Sequence, residues 1–237
     1  TEYTNASYKA AAHHELIASK LEAVERGEIK RLIICMPPRH GKSELASRRF
    51  PAFYMGRNKG KQIIAASYNS DLSSDFGREV RNIVDSPEFQ ALFSVKLSQD
   101  SRAANRWHTD TGGMYVSAGV GTAITGRGAD ILLIDDPFKD RQEADSEITR
   151  QRVWDWYTST AYTRLMPGGA VVVINTRWHD DDLTGRLISE QENGGDKWEV
   201  LSLPAIQHDG SALWPDWYPI ERLNEIKGVL PARDWNS

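Results

Sequence analysis

Cysteine is almost missing from these 237 residues. The one thiol, Cys35, rules out an internal disulfide framework and fits a reducing compartment. It sits in the apolar run LIIC, the setting of a buried strand residue and not of an exposed reactive thiol. Long hydrophobic runs are absent too. The longest, ILLI at 131–134 and AVVVI at 170–174, fall far short of the roughly 20 residues that a membrane-spanning helix needs, so no membrane association is expected. The opening stretch TEYTNASYKA has no apolar h-region, and no signal peptide is expected. There is no basic excess either: the formal net charge is -4, so any attraction to nucleic acid has to come from a local patch. What remains, 40% hydrophobic and 26% charged residues, suits one globular α/β domain with at most a small satellite.

Apolar runs of strand length alternate with helical patterns along most of the chain. An amphipathic helix is expected over 10–25, with Leu16, Ile17, Leu21 and Val24 on one face and Gly27 ending it. Strands are expected at 31–36, 61–67, 112–119, 128–136 and 168–176, and helices from near Ser43, at about 71–84, at 143–165 and at 180–192, the last capped by Asp180. That alternation predicts a mostly parallel central sheet covered by helices on both faces. From about residue 196 the composition changes to scattered prolines, tryptophans and charges. The expected division is therefore a core over 1–195 and a small, irregular, lid-like segment over 196–237.

Three motifs carry chemistry. MPPRHGKSE (36–44) ends in the Gly41-Lys42-Ser43 signature of a P-loop, where backbone N–H groups and a helix N-terminus face phosphates, although Met36 stands where the first glycine belongs. G-K-S alone is a cheap pattern; the apolar strand before it and the helical ELASRRF after it raise its weight. Arg39, His40, Gly41, Lys42, Ser43 and Glu44 are the candidate nucleotide contacts. ILLIDDP (131–137) is a buried strand ending in two carboxylates, the layout of a Walker B motif. There Asp135 would serve Mg²⁺ together with Ser43, and Asp136 would orient or deprotonate the attacking water. VVVINTRWHDDDLTGRL (171–187) brings Asn175 and Thr176 to a sheet edge, where a polar residue can sense a γ-phosphate. In the run from His179 to Asp182, helix capping explains the acids better than a metal site does. His13 and His14, being adjacent on a helix, are not expected to share a face.

MPPRHGKSELAS, TGRGADILLIDDPFKD and NTRWHDDDLTGRL, with SYNSDLSSDFGREVR between the first two, together resemble the ATPase half of tailed-phage large terminases over roughly residues 10–237. The resemblance implies a P-loop NTPase fold of the additional-strand class. It also implies ATP and Mg²⁺ as cofactors, and translocation of double-stranded DNA into a viral procapsid. The implied partners are a portal protein, a small terminase subunit and other copies of the chain in a ring, expected to be a pentamer, in the host cytoplasm. A C-terminal nuclease domain is implied as well and is not found here, so the chain reads as the ATPase part alone. By the same resemblance Lys42 and Ser43 are the P-loop lysine and metal ligand, Asp135 the Walker B aspartate, Asp136 the catalytic carboxylate, and Asn175 with Thr176 the coupling segment. Arg39 is a candidate γ-phosphate contact. Arg127 is a candidate arginine finger offered to a neighbouring subunit, or else a solvated loop residue. Arg48, Arg49, Arg57, Lys59 and Lys61 are candidates for a surface that tracks the DNA backbone. Three readings compete with the motor. A helicase-like translocase needs a second nucleotide-gripping domain, a small-molecule kinase needs an acceptor pocket, and a nucleotide-gated assembly module would bind ATP with little turnover.

Overall fold

The computed structural model describes residues 10–124 and 126–235, without the side chains at 101 and 102. Of the opening stretch read for a leader only Ala10 falls inside it, and Thr125 of TGRGAD falls outside. The strands are β1 Arg31–Cys35, β2 Gln62–Ser67, β3 Leu97–Ala103, β4 Arg106–Thr109, β5 Met114–Gly119, β6 Ala129–Asp135, β7 Leu165–Asn175 and β8 Glu199–Ser202. The helices are α1 Ala12–Glu25, α2 Phe50–Arg57, α3 Ser70–Val84, α4 Pro87–Phe93, α5 Arg141–Asp145, α6 Glu147–Trp156, α7 Leu183–Glu192, α8 Ile220–Val229 and α9 Ala232–Trp235.

All eight strands form one sheet in the order β3-β4-β5-β2-β6-β7-β1-β8. The six from β5 to β8 in that order pair in parallel, and β3 and β4 add an antiparallel edge. Alternate strand residues feed two separate cores, as the two-residue period of a strand requires. Leu32, Ile34, Ile63, Leu133, Val172 and Ile174 pack on one face against α1 to α4. Ile33, Ile64, Leu132, Ile134, Val171 and Val173 pack on the other against α5, α6 and α7. Burial on both faces explains why β6 and β7 read as continuous apolar runs. Because β7 lies between β1 and β6, the strands that carry the P-loop and the two aspartates are separated by one further strand. This is the additional-strand arrangement that the resemblance implied. Among the described residues no helix is long and apolar enough to cross a membrane.

Several expectations need correction. Leu16 is 39% exposed, whereas His13 and His14 are buried with Ile17, Leu21 and Val24. The inward stripe of α1 runs 13, 17, 21, 24, one helical position away from Leu16. The helix expected from 180 starts at Leu183, and its cap is Asp182, whose Oδ1 accepts from Gly185 N–H at 2.9 Å. Asp180 lies in the turn before it, so close that a Cβ on Gly185 would fall 1.7 Å from the Asp180 carbonyl oxygen. The expected 143–165 helix is broken at Ser146 between α5 and α6 and finishes in a wide π-helical turn and a 3-10 turn. The edge strands β3 and β8, and β4 beside β3, were not anticipated. Since β8 pairs with β1, the sheet runs past the division expected at 195.

Candidate nucleotide-binding site

The carboxyl ends of β1, β6 and β7 stand side by side, with Cys35 in register with Asn175 and Asp135 with Ile174. Crevices outside such strand ends are where open α/β sheets bind ligands. From β1 the chain turns through 36–41 into a helix beginning at Lys42. Met36 is buried in the core, which accounts for an apolar side chain at the first position of the loop. Gly41 has φ +90°, and a Cβ there would lie 2.6 Å from His14 Nε2. Arg39, at φ +62°, and Asp136, at φ +44°, are also left-handed without being glycine. Such strain persists only where surrounding contacts enforce it, and it clusters at functional sites.

Lys42 is the hub. Its Nζ lies 3.0 Å from Asp136 Oδ2 and donates to Thr176 Oγ1 at 2.7 Å. Thr176 N–H donates to Asp136 Oδ1 at 2.7 Å, closing a triangle between the P-loop and the ends of β6 and β7. Asp135 lies beneath it, 1% exposed. Ser47 Oγ donates to Asp135 Oδ2 at 2.5 Å, while Oδ1 has no hydrogen-bond partner among the described residues. Burial, then the neighbouring Asp136 charge, pushes the Asp135 carboxyl above the usual range, against the pull of Lys42 and of the Ser47 and Ser43 hydroxyls. An orphaned, buried carboxylate oxygen beside serine hydroxyls is the donor set of a hard divalent cation such as Mg²⁺, so these residues fit that ion. Ser47 reaches Asp135 because Glu44–Arg49 is π-helical, a widened turn that recurs at functional sites.

Not every candidate meets at this point. Gly41, Lys42, Ser43, Glu44, Arg39 and Asp136 line one open cleft of about 480 Å³ together with Trp214 and Trp217. Glu44 is tied to Arg49 at 2.5 Å and to Arg48 at 3.6 Å. The His40 ring turns away from the cleft: its Nδ1–H donates to Pro38 O, and it stacks on Tyr218. His40 does not line the cleft, and its carbonyl oxygen faces His13 and His14 on the other side of the loop. Asn175 is 1% exposed and directs Nδ2 to Asp182 Oδ2 at 3.0 Å, so it braces the α7 cap and does not face the cleft. Arg177 donates to the same Asp182 oxygen at 2.8 Å, while Asp181, held at about 2 by Arg186 and Arg150, serves those two arginines. Arg127 precedes β6, at the end opposite Asp135, and lines a different cleft with Arg106 and Ser117. Its Nη1 is 3.7 Å from Met114 Sδ. Of the basic patch, Arg48 meets Glu44 and Glu79, Arg49 meets Glu44, Arg57 meets Glu25, and Lys61 meets Asp130. Those pairs cancel most of the local positive charge on which a DNA-tracking role there depends.

Four contributors were not found from the residues alone: His13, His14, Trp214 and Trp217. Both histidines direct Nε2 at His40 O, each at 3.0 Å. The expectation that neighbours diverge fails because both lie in the first turn of α1, where the helix end abuts the loop. A Trp-x-x-Trp pair in a stretch without periodicity offered no signal of its own.

A parallel sheet with an additional strand, a Gly41-Lys42-Ser43 loop and two aspartates at the facing strand end define the P-loop nucleoside-triphosphatase fold. Within that class the chain belongs to the large terminases: the family described as "Terminase large subunit, T4likevirus-type, N-terminal" matches residues 33–224. Among solved structures, it is similar to the HK97 bacteriophage large terminase at 12% identity and TM-score 0.64, over 97% of this chain and 49% of that one. The chain thus spans about half the length of the HK97 protein. It is also similar to the Thermus phage P74-26 large terminase ATPase domain, at 14% identity and TM-score 0.62, over 97% of this chain and 92% of that one. Identities this low speak for the fold alone. No curated protein sequence matches the chain.

Proposed function

We propose that the chain hydrolyses ATP with Mg²⁺ and that hydrolysis drives double-stranded DNA into a viral procapsid. The observation that carries this reading is the Lys42–Asp136–Thr176 triangle. A γ-phosphate entering the loop competes for the Lys42 ammonium. That frees Asp136 Oδ2 to orient the attacking water and accept its proton. Mg²⁺ held by Ser43 and Asp135 would neutralise charge on the phosphates. Thr176 senses the change through both its hydroxyl and its N–H. Arg177 follows it directly and is anchored to the Asp182 cap, so a shift at Thr176 reaches α7. Asn175 acts in this scheme as a positioning residue for that cap. Arg39, exposed and strained, is the candidate γ-phosphate contact.

Arg127 does not line the P-loop cleft of its own chain: it stands before β6, whose seven residues span about 20 Å at roughly 3.3 Å per residue, and it lines a separate cleft. As an arginine finger it acts on a neighbouring subunit, in the ring expected at the portal with the small terminase subunit nearby. The segment after β8, which carries Trp214 and Trp217 to the cleft, acts as a lid. A nucleotide-gated assembly module with little turnover is the second reading, because a finger supplied in trans leaves a lone subunit slow. Asp136→Asn separates the two. Intact ATP binding with loss of turnover supports hydrolysis, and loss of binding moves Asp136 to a metal-holding role.

A further inference from the structure

Trp217 is 60% exposed although it stands at the rim of the P-loop cleft, whereas Trp107, Trp156 and Trp198 are buried. The Trp217 indole face is therefore open to a flat ligand lying in that cleft. It is also firmly held. Its ring stacks on Trp214, with centroids 5.6 Å apart and planes at 28°. Trp214 in turn meets His14 edge-on at 4.6 Å and His13 at 5.5 Å, the two imidazoles that grip His40 O in the loop. Two backbone bonds, from Trp217 and Tyr218 N–H to Trp214 O at 3.1 and 2.8 Å, fix the turn that presents the ring. The platform is therefore braced against the loop that grips the phosphates, not hung on a free segment.

We propose that Trp217 is the stacking surface for the base of a purine nucleoside triphosphate whose phosphates lie on Gly41–Ser43. This rests on the nucleotide-binding reading above. The polar side chains of the cleft have little left with which to read a base edge. Lys42 serves Asp136 and Thr176, Glu44 serves two arginines, Arg48 serves two carboxylates, Arg39 and Ser43 are assigned above to the γ-phosphate and the metal, and among the described residues no asparagine or glutamine lines the walls. The base is held by its face, which favours the larger purine ring over a pyrimidine and barely separates adenine from guanine. Stacking is tolerant of base identity because every base has a π-face.

The test measures equilibrium binding of ATP, GTP, CTP and inorganic tripolyphosphate by calorimetry, for the wild-type chain, Trp217→Ala, Trp217→Phe and Lys42→Ala. Trp217→Ala is expected to weaken ATP and GTP alike, by on the order of 10- to 100-fold, the range for losing one stacked base. Tripolyphosphate should be unchanged by it, and Trp217→Phe should recover most of the loss. Equal weakening of ATP and tripolyphosphate, unchanged ATP affinity, or a wild-type preference for ATP over GTP beyond about tenfold would each overturn the platform alone. Wild-type binding of neither ATP nor tripolyphosphate, or binding indifferent to Lys42→Ala, would overturn the nucleotide site and the platform together.

Discussion

The imidazole of His14 occupies the space that a side chain on residue 41 would need: its Nε2 lies 2.6 Å from the position of a Cβ on Gly41 and donates to the carbonyl of His40. The P-loop is thus shaped from behind by the first turn of α1. Gly41→Ala should fail twice, through the clash and through a φ of +90° that costs a non-glycine residue about 1–3 kcal/mol. A lowered melting temperature together with lost ATP binding is expected. Normal binding by this variant would mean that the loop tolerates a different path.

The same contact makes the fold sensitive to acid. Burial is the first cause that lowers His13, His14 and His40 from the usual 6.5, and His14 is brought to about 4. His14 Nδ1 accepts from Ala11 N–H while Nε2–H donates to His40 O, so both nitrogens are committed to the neutral form. With folded values below the unfolded one, the stability is present above about 6.5 and is lost as pH falls toward 4. His14, with the largest shift of the three, is expected to contribute most to that loss. Melting curves between pH 7 and 5 should fall more steeply for the wild type than for His14→Gln. Parallel curves would show that the imidazole does not titrate as described.

Asp182, not Asp180, holds the segment after β7. Its carboxylate caps α7 and receives Asn175 and Arg177 while only 1% exposed. Asp182→Ala leaves a half-buried guanidinium unpaired, for an expected loss of about 3 kcal/mol, whereas Asp180→Ala should change stability by less than about 0.5 kcal/mol. Chemical denaturation of both variants checks the contrast. Equal effects would put the cap elsewhere.

Much of this architecture was legible before the fold was known, for reasons specific to certain residues. ILLIDD and VVVINT are buried on both faces, so their strands announced themselves, and the Gly41-Lys42-Ser43 loop between β1 and a helix located the phosphates. Strands β3, β4 and β8 were hidden because LSQDSRA and RWHT carry no apolar alternation, and EVLS is only four residues long. Asn175 looked like a ligand contact because strand ends face the crevice, but Asp182, seven residues on, turns its amide inward. The part played by His13, His14, Trp214 and Trp217 depends on α1 and the segment after β8 meeting over one loop, and no local pattern records such a meeting.

A basic patch judged by residue type overstated the charge, because Arg48, Arg49, Arg57 and Lys61 each face a carboxylate. DNA binding is accordingly expected to be weak, independent of sequence and rapidly lost with salt. Charge reversal at Lys59, which is exposed, should lower it only slightly. Fluorescence anisotropy with two unrelated duplexes across a salt series is the check, and a strong preference for one duplex would contradict a backbone-tracking contact.

Phosphate release from ATP, followed as protein concentration rises with Lys42→Ala as the blank, tests the motor assignment most directly. Release above the blank is expected, with a rate per subunit that climbs with concentration as neighbours supply Arg127. Arg127→Ala should abolish that climb, since a finger in trans contributes roughly 10³- to 10⁵-fold in rate. Release no faster than from Lys42→Ala at any concentration would contradict hydrolysis by this chain and leave a nucleotide-binding module in its place.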